Sequence, residues 1–147
     1  KMNKNQTHLS IMQTLMMHHL SKQELSECFI KLIFSSEEEE RKGTEKNKKK
    51  ILKELKNIKE NLEQIDTYIT LCLESKNKEF KNLGSPEKSA IRYGFWLLLG
   101  PRKMDPPLCS KIAADMVDLF SESSARSLVQ GCISWAAKNQ QDLALLI

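Results

Sequence analysis

The stretch that decides the fold is ILKELKNIKENLEQIDTYITLC, residues 51–72. Within it, Ile51, Leu55, Ile58, Leu62, Ile65, Ile69 and Cys72 recur at alternating steps of four and three. That rhythm puts all seven on one side of an α-helix as a narrow apolar seam, the heptad pattern of a helix packed on another helix. Leu52 and Leu73 widen the stripe, so it suits a bundle helix as well as a two-stranded coil. The predicted helix begins at Thr44 or Glu45 and ends near Lys76. Its seam is a surface for contact with protein, and Ile51, Leu55, Ile58, Leu62, Ile65 and Ile69 are the expected partner-binding residues. The partner helix belongs either to this chain or to another.

N-terminal to the seam the composition changes. Ser35 to Asn47 contains no apolar residue and includes the acidic run Glu37–Glu40, so it reads as a charged flexible linker. Before it, Leu9, Met12, Leu15, Met16 and Leu20 share a helical face. Ser21 and Glu24 match the S-x-x-E capping box, which predicts a second helix starting there, through Leu25, Cys28, Phe29, Leu32 and Ile33.

C-terminal to the seam, Gly84-Ser85-Pro86-Glu87 reads as a helix start, with Ser85 as N-cap and Pro86 in the first turn. The helix that follows carries Ile91, Tyr93, Phe95, Trp96 and Leu97–Leu99, apolar on almost every side. Such a helix is buried around most of its circumference and forms the centre of the C-terminal half. Gly100-Pro101 ends it and Asp105-Pro106-Pro107 starts the next. A last main helix holds Ala125, Leu128, Val129, Cys132, Ile133 and Ala136, with Gly131 inside it as a sign of close backbone approach or a kink. Gln140 to Ile147 reads as a final short helix. The organisation is thus an N-terminal helical pair (1–34), the linker (35–47), the long heptad helix (48–83) and a C-terminal helical bundle (84–147).

Composition agrees with an all-α fold. The 147 residues hold only five glycines and four prolines, and aromatics make up 6%. Leucine, lysine, glutamate, isoleucine and methionine dominate, which favours helices over a sheet. The net charge of +4 is unevenly spread. Lys42, Lys46, Lys48, Lys49, Lys50, Lys53, Lys56 and Lys59 crowd segment 42–59, with Glu54, Glu60 and Glu63 among and just beyond them. Lysines of this kind meet phosphate backbones as point charges, in a salt-dependent way. Lys46, Lys48, Lys49, Lys50, Lys53 and Lys56 are therefore the nucleic-acid candidates, although the block has no aromatic for base stacking. Lys46 to Lys50 also reads as a weak nuclear-import patch.

Catalytic and metal chemistry finds little support. The three histidines all precede residue 20, and with Cys28 they lack zinc-ligand spacing. Asp115 and Asp118 are three apart on a helix, where a solvated face is the ordinary reading. No phosphate-binding glycine loop or nucleophile elbow occurs. Cys28, Cys72, Cys109 and Cys132 lie in apolar patterns as small hydrophobes of a reducing compartment. No apolar run approaches the roughly 20 residues that cross a bilayer, and the termini read as those of an excised fragment.

The expectation is a non-enzymatic scaffold or adaptor subunit, nuclear or cytoplasmic, binding a protein partner through the heptad seam. It needs no cofactor, metal, membrane or small-molecule substrate. The alternative is a nucleic-acid-associated factor using the lysines of 42–59.

Overall fold

In a chain so poor in turn residues, helix is the state that satisfies the backbone locally. The computed structural model describes residues 4–21, 23–35 and 47–146, and all its regular elements are helical. They are α1 (Lys4–Ser21), α2 (Leu25–Ser35), α3 (Lys48–Ser75), α4 (Ser85–Leu99), α5 (Pro106–Asp118) and α6 (Ser123–Lys138), with 3-10 turns at Phe80–Asn82 and Gln140–Asp142. The chain divides into two compact units, one up to Glu60 and one from Asn61, so the boundary falls inside α3. The segment expected to be a linker lies, from residue 36 to 46, outside the described residues.

In the first unit α1 packs on α2. Ile11, Met12 and Leu15 of α1, Leu25, Cys28 and Phe29 of α2, and Ile51, Leu55 and Ile58 of α3 are all buried. The expected capping box is not used. Ser21 closes α1, its hydroxyl donating to the Met17 carbonyl oxygen at 2.7 Å and accepting from the Gln23 N–H at 3.3 Å. A hydroxyl bonded back to the preceding turn prolongs that helix. Glu24 instead forms an ion pair with Lys59, and α2 begins at Leu25.

The second unit is built around α4, in which every residue from Lys88 to Leu99 is buried. The expected central helix is therefore central, packed against both α5 and α6. Its N-cap is Gly84 rather than Ser85: the Gly84 carbonyl oxygen accepts the Lys88 N–H at 3.0 Å. Ser85 lies one residue too far into the helix to cap it.

Close approach occurs at Gly94, not at Gly131. A Cβ at Gly94 would sit 2.6 Å from Ile133 Cδ1 of α6 and 3.4 Å from Ala113 Cβ of α5. At Gly131 it would meet only the Lys76 side chain, with Nζ at 3.3 Å. Two polar ties fix α3 in this unit. Arg92 donates from Nε and Nη2 to both carboxylate oxygens of Asp66 at 2.8 Å, and the Tyr68 hydroxyl donates to the Ala144 carbonyl oxygen at 3.0 Å. The final segment is not a helix beyond the 3-10 turn. It runs on so that the Leu146 N–H reaches the Leu99 carbonyl oxygen at 3.0 Å, burying Leu146.

Candidate nucleic-acid interface

The expected partner-binding seam is largely covered within the single chain. Ile51, Leu55, Ile58, Ile65 and Ile69 are buried and Leu62 is half-buried. An apolar ladder removed from water in this way is core, since burying each large side chain contributes about 1.5–3 kcal/mol to folding before entropy losses. Of these six residues, Leu62 alone keeps part of its surface open.

With the seam turned inward, the lysines are what α3 leaves outside. Lys48, Lys49, Lys50, Lys53, Lys56 and Lys59 are all exposed, whereas Lys46 lies outside the described residues. At about 100° per residue, Lys49, Lys53 and Lys56 fall within roughly 60° of one another and nearly opposite Ile51, Leu55 and Ile58. Lys48 and Lys50 flank this row one to each side. Glu60 and Glu63 occupy the same face further along, so the positive strip spans the first turns of α3 and stops there. Lys59 is neutralised by Glu24, whose carboxyl is held below the usual range by the hydrogen bond and charge of that ammonium.

The first turn of α3 has no acidic residue. Three lysines there face the positive end of the helix dipole, each at a cost of about 0.3–1 kcal/mol. Further along α3, Glu24, Leu25, Ser26, Leu52, Leu55, Lys56 and Lys59 line a groove of about 340 Å³. The strip therefore has a positive crest, a partly apolar wall and the helix N-terminus at one end.

The remaining candidates are accounted for by structure. Asp115 and Asp118 both bind Arg126 Nη1, at 3.1 and 2.6 Å, and Lys111 reaches Asp115 at 2.8 Å. Those hydrogen bonds, Lys111's first, hold the Asp115 carboxyl below its usual range. Such a carboxylate is an ion-pair member and a poor general base. Arg92 is buried against Asp66, with its guanidinium 5.3 Å from the Phe80 ring centre. The His18 imidazole is held to the Gln23 carbonyl oxygen. Among the described residues no three of His, Cys, Asp or Glu come together as a metal site. A cavity of about 400 Å³ between α5 and α6 has Pro106, Pro107, Ile133 and Ala137 as apolar walls and Lys138 as its charged group. No described helix is long and apolar enough to cross a membrane.

No protein family model matches this chain, and no curated protein does. A solved structure does: T. maritima NusB in its P3121 crystal form, with a TM-score of 0.75 over 94% of this chain and 93% of that one. The fold is NusB-like. Sequence identity to T. maritima NusB is 17%, so the likeness extends to the helical architecture and leaves the side chains of each site to be argued from this chain. The main helices from α3 to α6 are legible in the sequence in order, but what decides the site is not: that the seam of α3 is largely covered within the chain, leaving its lysine side outside.

Proposed function

We propose that this chain is a non-enzymatic binding module that engages the phosphate backbone of a nucleic acid through Lys48, Lys49, Lys50, Lys53 and Lys56. The observation that carries the reading is the placement of cations at the wrong end of a helix. Lysines at an α-helix N-terminus oppose its dipole, and no described carboxylate in that first turn offsets them. A local rule broken without structural return marks a functional surface. A phosphate strand is the complement: it takes the lysine charges and the free N–H groups of the helix terminus together. The strip carries no aromatic, so contact is with backbone charge rather than with stacked bases.

The test is affinity for a single-stranded RNA and for a DNA duplex across a salt series. Wild-type binding weakens steeply with salt. Lys49→Glu/Lys53→Glu/Lys56→Glu abolishes most of it and lowers the single-strand salt slope by about 2, three contacts at roughly 0.7 each. A flat, weak salt response in the wild type sinks the proposal.

A protein partner is a second reading, now favoured by a different surface. At the end of α5, Leu119 is 60% and Phe120 37% exposed, two large apolar side chains side by side in water. Leu119→Ser/Phe120→Ser leaves the melting temperature close to wild type and removes binding to a protein partner recovered with the wild-type chain. Retained binding by the double variant excludes this surface.

A further inference from the structure

All four cysteines are reduced and buried, but two of them meet. Cys72, in the last turn of α3, and Cys132, in the middle of α6, are 60 residues apart in sequence. Cys72 Sγ lies 4.0 Å from the Cys132 carbonyl oxygen, which brings the two cysteines together between α3 and α6. We propose that Cys72 and Cys132 are an oxidisable dithiol, a modification site at which hydrogen peroxide closes a disulfide between α3 and α6.

The surroundings give the two sulfurs different roles. The neighbouring Cys132 thiol draws the Cys72 thiol below the usual thiol range against the effect of burial, and the Lys76 ammonium adds to this. The Cys72 thiol and burial push the Cys132 thiol up. Cys72 is therefore the more readily ionised of the two, the division of labour between an attacking and a resolving cysteine. Lys76 is placed for this by Gly131, next to Cys132. Apart from its own helix, only the Lys76 side chain comes within 4 Å of where a Cβ would be. Gly131 is half-exposed, so displacing one flexible side chain opens α6 beside the pair to a small neutral oxidant. A glycine inside a helix is otherwise disfavoured.

In the first step the Cys72 thiolate attacks one oxygen of hydrogen peroxide. An S–O bond forms, the O–O bond breaks, and the departing hydroxide takes a proton to become water. In the second, Cys132 attacks the sulfenic sulfur of Cys72 as its own proton leaves with the expelled hydroxide. The S–S bond forms, the S–O bond breaks, and a second water is released. Two electrons pass from the two sulfurs to the peroxide. Neither of the other cysteines has this arrangement. The Cys109 thiol donates to the Met104 carbonyl oxygen at 3.5 Å, and burial pushes it up to about 12, which keeps it an inert thiol. Cys28 belongs to the other unit, where its sulfur hydrogen-bonds with the Gln23 carbonyl oxygen and the Ser21 hydroxyl at 3.8 Å.

The experiment is native oxidation of the whole chain with hydrogen peroxide, followed by alkylation under denaturing conditions and peptide mapping. The expected product is a Cys72–Cys132 cross-linked peptide lighter by two hydrogen atoms, with Cys28 and Cys109 alkylated and the link reversed by dithiothreitol. Lys76→Met slows its formation several-fold, and Cys132→Ser leaves a sulfenic acid on Cys72 that dimedone traps. Should Cys132→Ser fail to fold, the wild-type map decides alone. Absence of the cross-link in folded protein, or equal oxidation of all four cysteines, overturns the proposal.

Discussion

At the scale of single residues, the two helical glycines Gly94 and Gly131 separate what looks alike in sequence. Both sit inside helices where alanine is favoured by about 1 kcal/mol. At Gly131 the space is open to a movable lysine side chain, so Gly131→Ala raises stability by about 0.5–1 kcal/mol in urea unfolding. At Gly94 the added methyl meets Ile133 and Ala113 in the centre of the second unit. Overpacking costs about 1–3 kcal/mol there, so Gly94→Ala comes out destabilising despite its better helix propensity. If both substitutions shift the urea midpoint in the same direction, this account of the α4–α6 contact is wrong. Sequence singled out Gly131 and passed over Gly94, because a glycine's spatial neighbours cannot be counted along one chain.

At the scale of elements, α3 divides its labour by face. The heptad ladder was legible from spacing alone, as were the central position of α4 and the Asp105-Pro106-Pro107 start of α5. What the spacing could not supply was the identity of the neighbour, and the structure largely covers the ladder within this chain. Ile58→Ala and Ile65→Ala each therefore lower unfolding free energy by about 2–4 kcal/mol, as core truncations do, and leave the solution mass unchanged. A loss of association without a loss of stability, read by light scattering beside urea unfolding, would return the seam to an intermolecular role. The capping signals illustrate the same limit. Ser21 and Ser85 both match a cap motif, yet one ends a helix and the other lies inside one, because caps are chosen by where neighbouring backbone already bends.

At the scale of the whole molecule, the ionisable groups set how stability follows pH. Burial raises the Cys109 thiol to about 12, while in the unfolded chain it ionises in the ordinary thiol range. The unfolded state thus loses its proton first as pH rises. The stabilisation from keeping Cys109 neutral and buried is complete at neutral pH and is lost progressively toward about pH 12. Urea unfolding of wild type and Cys109→Ala from about pH 7.5 to 10.5 shows the gap between them narrowing as pH rises. A constant gap would mean that the thiol titrates alike in both states. On the acid side, Glu24 and Asp115 are lowered in the folded chain, so their contribution is present at neutral pH and fades as pH falls through their folded values. Both are solvent-exposed pairs, and that limb is shallow.

By itself the sequence determined the helical class, the order of the main helices, the inward face of α3 and the lysines that line its start. These follow from local physics, because hydrophobic period, turn residues and charge are properties of neighbours along the chain. Tertiary structure alone decided that the seam is largely filled from within, that Arg92 belongs to Asp66, and that Cys72 meets Cys132 from 60 residues away. Each of those is a contact between distant segments. Many pairings would satisfy the same local pattern, and only close packing of the complete fold selects one.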